Sequence, residues 1–437
     1  MVFASCLWHT PILRFLKVHD ILGCSLVNFI YMQEVPAIPA IHQTNMQIFL
    51  RFLKFGFLAW GGPVAQIAML KRELVEEEKW ITQERFNRSL AVYQVLPGPE
   101  AHELCVYFGM VAGGRVGGFL AGLGFMLPGF LLMLLLTWLY VSIGIGSPLI
   151  QAVFIGFQAA VIALIFAAVH RIGKHALFNW KLFVIAAAAF IAYVCGVGFF
   201  VVLPLAGMAY VFWMKGNIKL LALSGIVLVV ACVLLFNPLW GELQQPATVT
   251  EANPADTEQS PVAVFWAGLK AGLLTFGGAY TVIPFIQQDA VMQQGWLTNR
   301  QFLDGIALSG ILPAPLIIFS TFVGYFGAGW LGTVIMTFAI FLPAFSFTLL
   351  GHGLVEKVIT NTALHSFLDG VTAGVIGLIA VTALQLFRST ITGGFTLLVF
   401  ALSMLILYRI KSKFTVVFVI LGAGLLGIAW RLVGGFS

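Results

Sequence analysis

Charge is scarce in this sequence. Asp, Glu, Lys and Arg make up 9% of 437 residues, 60% are hydrophobic, and mean hydropathy is +1.00. A solvated globular surface needs about a quarter of its residues charged, so a soluble domain is excluded. Cysteine is sparse too. Cys6, Cys24, Cys105, Cys195 and Cys232 form no CxxC pair and no metal-ligand spacing, which argues against a disulfide framework or a metal centre. No HExxH, GxSxG or P-loop pattern occurs, so nothing points to an enzyme, to ATP hydrolysis or to a cofactor. The net charge of +6 is spread through short loops rather than gathered in one patch. That distribution fits orientation in a lipid bilayer and not nucleic-acid binding.

What is present is an all-α polytopic membrane pattern, with proline where a helix should continue. LPGPE at Leu96–Glu100 and LPAPL at Leu312–Leu316 both interrupt apolar sequence. Paired prolines cannot continue a helix, and freed backbone at membrane depth is tolerated only inside protein or beside a watery cavity. Matched broken segments in two halves of a chain mark a transporter's substrate site.

The halves are duplicated. Residues 53–99 lie on 269–315 without a gap, with 15 of 47 positions identical. Lys54 matches Lys270, Gly61 and Gly62 match Gly277 and Gly278, Trp80 matches Trp296, Thr82 matches Thr298, and Pro97 and Pro99 match Pro313 and Pro315. After one dropped residue the match runs on, from Pro128 to Pro343. The reading is an extension at 1–46, a first repeat at 47–236, an acidic, proline-bearing linker at 237–262 and a second repeat at 263–437. Apolar spans are expected at 116–141, 149–170, 180–196, 199–214 and 218–236, and at 330–350, 363–387, 393–408 and 416–433. A polar loop is expected to reach Asp304.

Charge sets direction. Residues 71–88 hold five basic side chains, whereas the counterpart 287–304 has only Arg300. Placing the basic loops in the cytoplasm makes residues 86–110 dip in and return on the same side. It also inverts the second repeat relative to the first.

The candidate anion cradle follows from chemistry. Helix N-termini after Pro99 and Pro315 offer free amides and a positive dipole end, and the Gly61-Gly62-Pro63 and Gly277-Gly278 turns allow close backbone approach. Gly98 and Ala314 are the residues between the paired prolines. Lys54 and Lys270, charged within apolar runs, are natural counter-charges for an anion, or else lysines snorkelling to the interface. Glu100, His102 and Glu103 follow the first break. Acids beside an anion site repel it when ionised, which gives Glu100 or Glu103 a proton-coupling role and His102 either a binding or a structural one. Glu73, matched by Asp289, is a further titratable candidate or a solvated loop residue.

FGFLAWGGPVAQIAMLKREL, LPGPEA, FGGAYTVIPF and LPAPL together resemble the chromate ion transporter family in its long-chain, two-domain form, over about residues 48–435. The resemblance implies a multi-pass plasma-membrane protein, in the inner membrane if the cell is Gram-negative, that exports chromate and confers resistance to it. Sulfate has the same shape and charge, so carriage of sulfate or another oxyanion stays open, as do an anion channel and a homodimer. Ala314 stands where glycine is frequent in the family, and residues before Ile48 fall outside its pattern.

Overall fold

The structure, a computed structural model, describes residues 43–94, 96–143, 147–234, 260–359 and 362–434, with only the backbone of 351–359. The expected extension, up to residue 42, and the linker, up to residue 259, lie outside the described residues. Fifteen α-helices and no strand occur among the described residues. In the first half these are α1 (Asn45–Phe57), α2 (Gly62–Leu70), α3 (Gln83–Tyr93), α4 (Glu100–Ile143), α5 (Pro148–Ala176), α6 (Trp180–Val194), α7 (Phe199–Met214) and α8 (Ile218–Leu234). The second half has α9 (Pro261–Leu273), α10 (Ile283–Gln287), α11 (Asn299–Gly310), α12 (Phe319–Ile359), α13 (Thr362–Thr390), α14 (Gly394–Arg409) and α15 (Thr415–Leu432). Among the described residues five helices are long and apolar enough to cross a bilayer by length and composition.

The repeat is visible element by element. α2 runs into a π-helical segment, Lys71–Glu77, and α10 runs into another, Gln288–Gln293. Thr82 and Thr298 match because each caps a helix: their hydroxyls accept the amides of Arg85 and Gln301 and start α3 and α11. Trp80 and Trp296 are buried packing residues at 4% and 2% exposure. Among the described residues α8 has no counterpart in the second half.

α4 is a hairpin: it joins the short limb ending residues 86–110 to the expected span 116–141 through Gly113 and Gly114, which leave helical geometry (φ −144° and 64°), and α12 does the same at Ala328 and Gly329. The arms fold back so closely that a Cβ on Gly109 would strike Gly117, and one on Gly324 would strike Gly332. Pro128, a kink by the sequence reading, and its equivalent Pro343 sit inside the long arms with no departure from helical dihedrals there. α3 and the short arm of α4 lie side by side, with Phe86 against Phe108 and Arg85 Nε donating to the Tyr107 hydroxyl at 3.0 Å. The two limbs on either side of the first break are therefore neighbours.

The repeats are inverted. Along the contact between the long arms of α4 and α12, a Cβ on Gly118 would meet Leu349 and one on Gly122 would meet Phe345. A step forward on one helix is an equal step back on the other, so these equivalent helices run antiparallel. Only a two-fold axis perpendicular to them, in the plane of the membrane, relates helices that way. The same exchange appears elsewhere. A Cβ on Gly156 of α5 would strike the Ala423 carbonyl of α15, and one on Gly370 of α13 would meet the Ala206 carbonyl of α7 at 2.5 Å. Small residues let helices approach where lipid supplies no hydrophobic drive.

Candidate functional site

The two proline breaks flank this crossing. Gly98, at φ 149°, lies where a Cβ would meet Ala344 at 3.2 Å, and a Cβ on Gly129 would meet Ala314 at 2.5 Å. Gly129 and Ala344 are equivalent residues, each directly after the proline of its long arm. Each break, Pro97-Gly98-Pro99 or Pro313-Ala314-Pro315, thus packs on the other half's long arm. The two breaks differ in bonding. The Gly98 amide donates across the repeat to the Thr275 carbonyl at 2.9 Å, whereas the Ala314 amide bonds within its own segment, to Leu312 at 2.9 Å.

Past the first break α4 begins directly. The Pro99 carbonyl accepts the amides of His102 at 2.8 Å and Glu103 at 3.1 Å, and the amides ahead of them lack an intrahelical acceptor. Past the second break the chain first makes a 3-10 turn, Leu316–Ile318, and α12 starts only at Phe319, later than expected. The first half brings Glu100, His102 and Glu103 to its break, and the second brings only Leu316, Ile317 and Ile318. His102 is fully buried between Phe341 and Phe345, at ring separations of 4.8 and 4.7 Å. Neither its ring nitrogens nor the Glu103 carboxyl oxygens have a hydrogen-bond partner, although Glu103 is also fully buried.

The glycine turns adopt the left-handed region: φ is 91° and 76° at Gly61 and Gly62, and 77° and 122° at Gly277 and Gly278. Side chains are strained there, which explains why both glycines recur. Pro63 occupies the first turn of α2, where a missing N–H costs nothing. Gly62 and Gly278 face open space, with no atom within 4 Å of a Cβ at either.

Each lysine has a carboxylate partner in its own half. Lys54 lies 3.7 Å from Glu73, and Lys270 lies 2.7 Å from Asp289. The four residues are equivalent in pairs, so the matched lysines and the matched acids of the sequence are one repeated ion pair. Neither lysine is a bare ammonium in this conformation.

Sequence reading missed one cluster. Asp304 is not the end of a polar loop but a buried residue inside α11. Its carboxylate accepts the Tyr140 hydroxyl and the Gln158 amide, each at 2.8 Å, from α4 and α5 of the other half. The available signal was a lone acid in the apolar run FLDGIALSG; intramembrane charge is expensive and needs partners. Its equivalent in the first half is Arg88, which is exposed, so the cluster has no mirror image.

A family model described as chromate transporter matches residues 46–213 and 262–428. A chromate transport protein of Pseudomonas aeruginosa is 53% identical over 390 residues, covering 87% of this chain and 91% of that protein. One from Cupriavidus metallidurans is 32% identical over 394 residues, covering 88% and 93%. An uncharacterized transporter of Methanocaldococcus jannaschii is 27% identical over 389 residues. No solved structure matches.

Proposed function

Because this chain belongs to the chromate transporter family, we propose that it is a secondary carrier of the plasma membrane that exports chromate by alternating access and so confers chromate resistance. The observation that carries the reading is the mirrored packing of the two breaks, Gly98 by Ala344 and Ala314 by Gly129, on either side of an antiparallel helix crossing. Inverted repeats that meet at broken helices are the architecture in which a substrate is held at mid-membrane and exposed to each side in turn.

In this reading the anion is held by backbone amides at the start of α4 and at the two glycine turns, where the helix dipole favours negative charge. The second break contributes shape and no ionisable group. Glu100 and Glu103 stand beside that cradle, and either carboxylate, when ionised, repels the dianion and aids its release. His102, wedged between two rings of the other half, positions α4 against α12.

The test is uptake of labelled chromate into proteoliposomes, with sulfate as competitor and with or without a pH gradient. Saturable uptake with counterflow is expected of a carrier. Linear flux without counterflow overturns the carrier reading in favour of a channel, and no chromate flux beside strong sulfate flux reassigns the cargo.

A further inference from the structure

The repeated ion pair differs between the halves. Lys270 and Asp289 are close and covered, with side-chain exposures of 25% and 3%, whereas Lys54 is 65% exposed and stands a full ångström further from Glu73. The neighbourhoods differ in the same sense. Every residue of α10 is buried, but only Gln66 and Leu70 of α2 are. α10 and its π-helical extension are roofed by the other half. Phe199 stacks edge-on against Phe285 at 5.1 Å, the Tyr193 hydroxyl donates to Gln288 at 3.0 Å, and the Lys270 ammonium lies over the rings of Phe199 and Phe200. The equivalent roof over α2 would come from α14 and α15. There the described contacts are at the edge, where Gly61 abuts Lys413 and Trp60 tilts against Phe414. The buried apolar residues follow suit: those of α1–α3 and much of α4 form a cluster of their own, and those of α9–α12 share one with α5–α7.

Matched sequence in two different environments is what alternating access requires: one repeat is closed while its counterpart is open. We infer that Lys54–Glu73 and Lys270–Asp289 are reciprocal gates, and that this conformation has the Lys270–Asp289 gate shut and the Lys54–Glu73 gate ajar. The inference rests on the carrier reading above and adds its moving parts. By the distribution of basic residues the open gate faces the cytoplasm, the side from which an exporter loads. There the Lys54 ammonium, loosely held by Glu73, is free to exchange its carboxylate for an incoming oxyanion, while Lys270 stays committed to Asp289. Turnover then draws α2 under α14 and α15, tightens Lys54 onto Glu73, and releases α10 from α6 and α7.

The equivalent small residues Ala65 and Thr281 report the two states, the first half-exposed and the second fully buried. Ala65→Cys and Thr281→Cys are introduced separately into a cysteine-free background whose chromate uptake has been verified. Each is labelled with a charged, membrane-impermeant maleimide in inside-out and right-side-out vesicles. At rest, rapid labelling at position 65 from the cytoplasmic side and little at position 281 are expected. Chromate under transport conditions should slow the first and speed the second, each severalfold. Asp289→Asn should speed labelling at 281 without substrate, because it unties the closed gate. If chromate is transported and the two rates stay constant or move together, the gate assignment is wrong. If the parent protein carries no oxyanion at all, the carrier reading itself fails.

Discussion

Asp304 and Tyr140 lie 164 residues apart in the chain and meet at 2.8 Å, the hydroxyl of the first half donating to a carboxylate buried in the second. With Gln158 on the other oxygen, the carboxylate clasps α11, the helix that leads into the second break, to both long helices of the opposite repeat.

Tyr140→Phe removes one donor and keeps the ring in its nest against Phe322 and Phe154. A buried acceptor left short costs about 1–3 kcal/mol. A lower midpoint in thermal unfolding of the detergent-solubilised protein is expected. Tyr140→Phe combined with Gln158→Leu should cost more than the two singles added, because the second loss strips the carboxylate bare. Strict additivity would show that the clasp is not a unit.

The two ion pairs should differ in worth. Lys270→Gln leaves Asp289 almost fully buried without its counter-charge, a loss of about 3–5 kcal/mol for a pair broken inside a protein. Lys54→Gln removes an exposed, longer contact worth about 0–1 kcal/mol. Comparative thermal unfolding checks the order, and equal losses would contradict the difference in burial described above.

Gly370→Ala should prevent assembly, since the added methyl would sit 2.5 Å from the Ala206 carbonyl, backbone that cannot swing aside. Gly422→Ala is the control: nothing lies within 4 Å of its Cβ, and a helical Gly→Ala change gains about 0.5–1 kcal/mol. Size-exclusion profiles of the two variants separate them, the first aggregated or absent and the second monodisperse.

Gly98→Ala places a methyl 3.0 Å from the Glu103 carboxyl and 3.2 Å from Ala344, in a backbone region side chains avoid. Transport should fall at least tenfold with protein still present in the membrane. Ala314→Gly, which only removes a methyl, should retain most of it. Initial rates of chromate uptake normalised to protein decide the matter, and full activity of Gly98→Ala would remove the first break from the site.

Much of this was legible in the chain. Apolar runs measure helices, so the apolar helices Phe199–Met214 and Thr415–Leu432 fell within a residue or so of expectation, and paired prolines located both breaks. The duplication was readable because Trp, Thr, Gly and Pro recur at one offset for packing, capping and turn reasons that shared greasiness does not supply. The gaps between expected segments, at 110–116 and just before 330, also bracketed the turns at Gly113-Gly114 and Ala328-Gly329; how closely the two arms fold back was not legible, because many glycines in these helices merely pack.

Sequence alone determined membrane residence, helicity, the two halves and where each helix must fail, because these depend on local composition and on backbone chemistry in lipid. Tertiary structure alone decided which groups meet. It paired both lysines with acids, drew Asp304 into the interior and roofed one repeat while leaving its twin uncovered. Such contacts join residues 19 to 164 positions apart, and no local propensity encodes them.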